Sequence, residues 1–272
     1  MATFQIDTPF LNSIKSLIKQ GNNTLLRKKL KPIHYADIAE ILETLSIEEA
    51  TYIIKLLKSE TTADALSEVD PDTREQILDN LSIKEIAREV SELKTDDAAD
   101  LILELPEARQ EKVMSQMKDD EHVKDIRDLL RYDENTAGSL MAKELVKVEE
   151  NLSVLKCLNE MRAQAENVTR VHSIYVVDQN NILKGRLSLK DLITANSRDK
   201  VKDIYIPKVD FVTVDQESEE VAKIMSKYDL EAIPVVNNKK ELLGRITIDD
   251  IVDVIKEEAD KDYQLAAGIS KD

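Results

Sequence analysis

Apolar residues recur at steps of three and four through the first half of the chain. Segments 37–57 and 85–105 match at a spacing of 48, and half that spacing also aligns apolar positions. The recurring positions are Ala39, Leu42, Leu45, Ile53, Ile54 and Leu57, then Ala63, Leu66, Val69, Ile77, Leu78 and Leu81, and then Ala87, Val90, Leu93, Leu101, Ile102 and Leu105. Such steps put one apolar stripe on each helix, and a helix buries a single stripe by stacking on its neighbours. The pattern predicts an all-helical solenoid.

Short polar breaks separate these stripes and resemble helix starts. The breaks lie at 46–49, 70–72 and 94–97, where Ser, Asp or Thr comes before acidic residues. Acids in a first turn suit the positive end of the helix dipole, and Ser, Asp and Thr are favoured caps. At the third break, Thr95 is the expected N-cap residue.

The pattern changes to short β-branched runs in the second half of the chain. The runs lie at 146–148, 173–177, 182–187, 212–214, 232–236 and 242–247, with polar turns at 178–181 and 237–240. The later runs align at a spacing of 59, which matches Val176 with Val235 and Gly185 with Gly244. The first runs align at 66, which implies a seven-residue insertion in the first copy. Each copy reads strand, helix, strand, strand, helix, so this half is predicted to be a tandem α+β duplication.

Charge and cysteine content exclude several classes of function. The chain has 54 Asp and Glu against 38 Lys and Arg, a formal charge of −16, which argues against a nucleic-acid-binding surface and suits cations. A single cysteine excludes a disulfide framework and a Cys-cluster zinc site. No uncharged run reaches membrane-spanning length and no secretion signal is visible, so we expect a soluble, cytosolic chain. Nucleophile-elbow, HExxH and Walker motifs are absent, so no enzyme is expected.

Two acidic stripes are the candidate cation-binding sites. Asp96 and Asp100 are one helical turn apart, and Asp97 lies between them. Residues 249–262 hold seven acids against two lysines, with Asp250 and Asp253 on one face. Ordinary acidic helix faces that only contact solvent would show the same sequence pattern. Carboxylate oxygens without a cysteine cluster or a histidine pair suit Mg²⁺, although ligand type alone does not separate Mg²⁺ from Mn²⁺. His34, His122 and His172 are scattered and are interpreted as ordinary surface or packing residues.

Two glycine motifs carry a resemblance to a known family. The patterns Gly185-x-x-Ser188-x-x-Asp191 and Gly244-x-x-Thr247-x-x-Asp250 resemble the end of a CBS domain. Together with the helical repeats and the segment 131–141, they make the chain similar, over essentially its whole length, to the cytosolic part of an MgtE-type magnesium transporter. The resemblance implies a multidomain fold. It comprises a helical superhelix at 1–131, a first CBS domain at 132–200, a second CBS domain at 201–258 and the start of a linking helix at 259–272.

The resemblance also implies a function. Acids of the helical domain and of the CBS pair would share Mg²⁺ ions, and this bridging would favour the closed state of a transporter. The candidate metal ligands are Asp96, Asp97, Asp100, Asp229, Asp250, Asp253, Glu257, Glu258 and Asp262. The implied partners are a second copy of the chain and a C-terminal transmembrane domain that we expect outside this sequence. The implied location is the cytoplasmic face of the cell membrane.

Two alternatives stay open at this point. CBS pairs often bind adenosine nucleotides, and Ser188, Asp191, Thr247 and Asp250 fit the family's nucleotide-contacting pattern, so ATP is a second candidate ligand. Equally, Ser188 and Thr247 could simply cap the helices that follow them. A solenoid can also serve purely as an interaction scaffold, which would be indifferent to divalent ions.

Overall fold

The computed structural model describes residues 6–168 and 170–266, and the chain divides into two compact units, Met1–Arg127 and Asp128–Asp272. The first unit is helical, and the second carries two three-stranded sheets. The helices of the first unit are α1 Thr8–Lys19, α2 Asn23–Leu30, α3 Tyr35–Thr44, α4 Ile47–Leu56, α5 Ser59–Glu68, α6 Pro71–Asp79, α7 Ile83–Val90, α8 Thr95–Leu103, α9 Glu107–Met114 and α10 Asp120–Leu129, which ends in the second unit. Over the described ranges, no helix combines the length and apolar character needed to cross a membrane.

The shorter sequence repeat corresponds to a pair of helices. Helix α3 packs on α5, α5 on α7, α7 on α9, and α4 on α6, so helices that are two apart in the chain stack on each other. The positions that recur in the sequence form the core, and Ile38, Ile54 and Ile86 are fully buried there. The predicted solenoid is confirmed.

Side-chain caps fix most of the helix starts. Ser46 and Glu49 form a capping box at α4, Ser82 and Glu85 form another at α7, and Asp70 caps α6. The predicted cap of α8 is wrong. The N-cap residue is Lys94, and Thr95 is the buried first residue of the helix. The repeat explains the error, because the N-cap positions 46, 70 and 94 are evenly spaced along the chain and Thr95 therefore takes a helical position.

A buried polar network ties α5 to α7. Glu89 is fully buried, and its Oε1 accepts hydrogen bonds from Ser59 Oγ at 3.0 Å and from Arg88 Nη2 at 2.9 Å. Its Oε2 accepts one from Thr62 Oγ1 at 2.6 Å. The Glu89 carboxylate thus joins α5 and α7 through buried hydrogen bonds from both helices.

Glu89→Gln is therefore expected to lower the free energy of unfolding by about 1.5 kcal/mol, because an amide nitrogen cannot accept a hydrogen bond from a hydroxyl or a guanidinium. Urea unfolding followed by circular dichroism measures the change. The matched control is Glu92→Gln, an exposed glutamate beyond the end of the same helix, which should change stability by less than about 0.5 kcal/mol. Equal losses in the two variants would contradict a specific role for the network.

The second unit repeats one α+β arrangement twice. Its elements are α11 Ala137–Leu140, β1 Val146–Glu149, α12 Val154–Ala165, β2 Ile174–Val177, β3 Leu183–Leu187, α13 Leu189–Thr194, a 3₁₀ turn Val201–Asp203, β4 Val212–Thr213, α14 Ser218–Lys227, β5 Ala232–Val236, β6 Leu242–Thr247 and α15 Ile248–Ala266. The sheets have the orders β1-β2-β3 and β4-β5-β6, with the first pair parallel and the second antiparallel in each. The predicted tandem duplication is confirmed.

Strand register corrects the predicted insertion. Val148 pairs with Val176 in the first sheet, whereas Val212 pairs with Val235 in the second. The offset between the paired residues is therefore larger by five in the first copy, and not by seven. Side chains alternate between faces with a period of two, so an alignment that slips by two residues still matches the apolar pattern.

A short segment before each copy pairs with the last strand of the other copy. Ala142, before the first copy, forms an antiparallel bridge with Arg245 of β6, and Ile206, before the second copy, forms one with Arg186 of β3. Gly185 lies under this crossing segment, because a Cβ built on it would be 2.1 Å from the Ile206 carbonyl oxygen. The glycine of the first motif is thus required by close backbone approach.

Candidate functional site

The predicted acids on α8 differ in accessibility. Asp96 is only 6% exposed, Asp97 is half-buried and Asp100 is exposed. The Asp97 backbone N–H donates to Asp96 Oδ1 at 3.0 Å, so the Asp96 carboxylate supports the first turn of the helix. Asp96 and Asp100 are one turn apart, as predicted, but they do not share one open face. The accessible carboxylates of this stripe are those of Asp97 and Asp100.

The predicted acids of α15 are already engaged in local contacts. Asp250 Oδ2 accepts hydrogen bonds from the N–H and Oγ1 of Thr247, at 2.9 and 2.8 Å. Asp253 pairs with Lys256 at 2.7 Å, and Glu258 pairs with Lys261 at 2.8 Å. Such exposed pairs contribute roughly 0.2–1 kcal/mol, so a divalent cation can displace them. Helix α15 runs through Glu257 and Asp262, whose side chains lie outside the described residues.

Asp229 lies between α14 and β5. It follows the end of α14 with a left-handed backbone (φ 51°), a conformation that Asp tolerates better than most residues, and its side chain is exposed. Among the described residues, no three His, Cys, Asp or Glu side chains are placed to hold a metal ion together. Hydrated Mg²⁺ often uses only one or two carboxylates, which is the number that each of these surfaces can offer locally.

Both glycine motifs end in a helix cap. Ser188 Oγ accepts a hydrogen bond from the Asp191 N–H at 3.0 Å and donates one to Asp191 Oδ2 at 2.6 Å. Thr247 and Asp250 make the corresponding pair at the start of α15. The capping interpretation of these four residues therefore has direct geometric support.

A cavity of about 370 Å³ opens in the second unit, at the edges of β2, β3 and β5. Its wall contains the cations of Arg186 and Lys208 and the carboxylates of Asp210, Asp229 and Glu231. None of the four predicted nucleotide contacts lines it. Arg186 was not among the predicted site residues, although it directly follows the glycine of the first motif.

His172, which was predicted to be an ordinary surface or packing residue, also lines this cavity. Its side chain is 12% exposed, its Nδ1 is buried without a hydrogen-bond partner, and Glu231 Oε2 lies 3.5 Å from that nitrogen. A buried ring nitrogen without a partner is unusual, and a ligand in the cavity could satisfy it. No spacing in the sequence could have revealed this, because His172 has no metal-like companion nearby.

Two buried ionisable groups, the Cys157 thiol and the Tyr175 hydroxyl, are held in their neutral forms. Burial raises the pKa of the Cys157 thiol to about 11, so the residue stays a neutral, apolar side chain. Burial likewise raises the pKa of Tyr175 to about 12.

Helices α13 and α15 of the second unit carry five exposed apolar residues, which are together called the apolar stripe. Its members are 39–72% exposed and are Leu189, Ile193, Ile248, Val252 and Ile255. They follow helical spacing, so each helix presents a continuous apolar face. Exposed apolar faces of this kind mark protein contacts.

Comparisons with known families divide the chain in the same way. A model described as the MgtE intracellular N domain matches residues 33–135, and a CBS-domain model matches residues 137–198 and 201–257. Magnesium transporter MgtE of Thermus thermophilus is 36% identical over 252 residues, which are 92% of this chain and 56% of that protein. The chain thus spans about half the length of this curated relative.

Two solved structures are similar to most of the chain. The soluble part of a magnesium transporter has a TM-score of 0.81 at 29% identity and covers 92% of this chain and 98% of its own. The cytosolic domain of the Mg²⁺ channel MgtE in complex with ATP has a TM-score of 0.84 at 33% identity, and the match covers 90% of this chain and 99% of that one.

Proposed function

The chain belongs to the family of MgtE cytosolic domains, and from this membership we propose that it is the magnesium-sensing regulatory region of a magnesium transporter. The transport of Mg²⁺, a membrane domain as partner and a location at the cytoplasmic face of the membrane are all part of this proposal. Support comes from the similarity to magnesium transporter MgtE of Thermus thermophilus and from the match over nearly the full length of a cytosolic domain.

Accessible carboxylates on both units carry the proposal. Asp97 and Asp100 on α8 and Asp253 and Glu258 on α15 offer oxygen ligands, and no group of three forms a cage among the described residues. We propose that Mg²⁺ ions bind between the two surfaces, with Asp96, Asp229, Asp250, Glu257 and Asp262 as further ligands or supporting charges. Without the ion, like charges oppose the approach of the surfaces. With it, one closed arrangement is selected.

Weak individual sites suit a sensor. A site that shares its ligands between two units has a lower affinity than a preformed cage, because part of the binding free energy brings the units together. Several such sites respond together, which steepens the response to Mg²⁺. Calorimetric titration with MgCl₂ alone tests this. A pure scaffold would give no heat of binding.

The cavity favours a second candidate function, nucleotide binding. Arg186 and Lys208 place two cations at its wall, as a phosphate chain requires, and the buried His172 nitrogen offers a polar partner. A relative of known structure is described in complex with ATP. We propose that ATP binds in this cavity, while Ser188, Asp191, Thr247 and Asp250 chiefly cap their helices.

Arg186→Gln is expected to weaken ATP binding at least about tenfold, because a charge-assisted hydrogen bond to phosphate is lost. Calorimetry in magnesium-free buffer measures the affinity. The control is Arg198→Gln, an exposed arginine that does not line the cavity. Unchanged affinity in Arg186→Gln, or equal weakening in both variants, would contradict the assignment.

The apolar stripe supports a homodimer. Leaving its five side chains in water is unfavourable, and burying them against the same surface of a second copy would remove that cost. Ile193→Asp combined with Val252→Asp is expected to convert dimers to monomers in analytical ultracentrifugation. Leu25→Asp, at a similarly exposed leucine of α2, is the control and should leave the dimer intact. A dimer that survives the double change would place the contact elsewhere.

A further inference from the structure

A second cavity, of about 570 Å³, lies in the first unit beside the junction of α4 and α5. Four cations line it, namely Arg27, Lys55, Lys58 and Arg88, against two acids, Glu60 and Glu92. This is unexpected in a chain of charge −16. We propose that the cavity binds a phosphate-bearing anion, at a site separate from the magnesium and nucleotide sites.

Two guanidinium groups are held in place by hydrogen bonds that use only some of their N–H groups. Arg27 Nε donates to the Leu56 carbonyl oxygen at 3.1 Å. Arg88 donates through Nε and Nη2 to Glu89, which Ser59 and Thr62 fix in turn. Within the described ranges, the terminal nitrogens of Arg27 and the Nη1 of Arg88 have no acceptor. A guanidinium that is anchored at one edge presents its other N–H groups in a fixed geometry that suits phosphate oxygens.

The start of α5 adds backbone donors to the same wall. Lys58 is its N-cap residue and supplies no side-chain acceptor, so the first N–H groups of this ten-residue helix lack a cap. Lys58, Ser59 and Glu60 all line the cavity. Uncapped N–H groups and the positive end of the helix dipole favour an anion.

Three of the four cations have a carboxylate partner among the described residues, and the pair of Arg88 with Glu89, at 2.9 Å, is the shortest of these contacts. Lys58 pairs with Glu60 at 3.5 Å, but the two side chains are 80% and 67% exposed, so the pair is weak. Lys55 has its own partner in Glu85, also at 3.5 Å. Arg27 has no ion pair among the described residues. A ligand must therefore accept several hydrogen bonds at once to compete with Glu60 and Glu92, which favours a phosphate group over a single carboxylate.

Calorimetric titration of the full chain with pyrophosphate in magnesium-free buffer tests the proposal. All proteins carry Arg186→Gln, so that the cavity of the second unit contributes little. On that background, Arg27→Gln combined with Arg88→Gln should weaken binding at least about tenfold. Arg27→Gln alone, which leaves the Glu89 network untouched, should weaken it roughly threefold or more. Lys84→Gln with Lys112→Gln removes the same charge outside the cavity and should have little effect.

Vesicles identify the source of the phosphate. Sedimentation with phosphatidylcholine vesicles that contain phosphatidic acid, reversed by free pyrophosphate, would support a lipid headgroup as ligand. Pyrophosphate binding without vesicle binding would support a free phosphate compound. The proposal is overturned if pyrophosphate gives no heat, or if Arg27→Gln and the double variant bind as well as the lysine control. Neither result bears on the Mg²⁺ titration, so failure here leaves the sensor proposal intact.

Discussion

Asp97→Asn combined with Asp100→Asn is expected to remove most of the stabilisation that Mg²⁺ gives to the chain. An ion at about 100 times its dissociation constant stabilises the bound form by about 2.7 kcal/mol per site. For a chain of this size that raises the midpoint of thermal unfolding by roughly 5 °C or more. The variant loses two accessible carboxylates of α8 but keeps Asp96, which supports the helix start. Scanning calorimetry with and without MgCl₂ measures the shift.

The control has the same change of charge at acids that lie on other helices. Glu40→Gln with Glu68→Gln, both exposed, should keep the full Mg²⁺ shift. If this control loses as much as the α8 variant, the response reflects general charge neutralisation, and the assignment to α8 fails.

If Mg²⁺ ions bridge the two surfaces, changes on α15 should have the same effect as changes on α8. Asp253→Asn with Glu258→Gln on α15 should remove the same Mg²⁺ response, because each bridging ion needs ligands from both surfaces. Combining the α8 and α15 changes should then reduce the stabilisation by Mg²⁺ little more than either pair of changes does alone. Separate sites on each unit would instead give losses that add.

Gly185→Val is expected to destabilise the second unit by at least about 3 kcal/mol. Any Cβ at this position meets the Ile206 carbonyl oxygen at 2.1 Å, and backbone cannot swing aside as the end of a side chain can. The crossing segment must lift away, which breaks the paired hydrogen bonds between Arg186 and Ile206. Urea unfolding followed by circular dichroism reports the loss.

Arg186→Val is the matched control for this substitution, because it puts the same side chain at the next position of β3, where the native residue is exposed. Valine suits a strand, so stability should change by less than about 0.5 kcal/mol. Equal effects at the two positions would mean that the crossing segment yields easily and that the glycine is not required.

Periodicity in the sequence was enough to predict the architecture. Apolar residues spaced three and four positions apart lie on one face of a helix and form a stripe that packing can bury. Ile38, Ile54 and Ile86 are buried accordingly. The strands of the second unit lie within a residue or two of their predicted positions, because β-branched runs end at polar turns on both sides.

The remaining features depend on contacts that are distant in sequence. Asp96 and Asp100 have the spacing of a shared face, but packing in the solenoid buries Asp96. The cavity of the second unit gathers His172, Arg186 and Lys208 from separate segments, and only the folded chain brings them together. Equally, the need for Gly185 comes from Ile206, which lies beyond the end of α13. Local patterns do not carry this information.

The claim that Mg²⁺ draws the two units together is tested most directly by small-angle X-ray scattering of the full chain, recorded across a MgCl₂ titration at constant ionic strength. We predict that the radius of gyration falls as Mg²⁺ rises into the millimolar range, and that the Asp97→Asn, Asp100→Asn variant does not contract. A radius of gyration that is the same with and without Mg²⁺ would contradict the account.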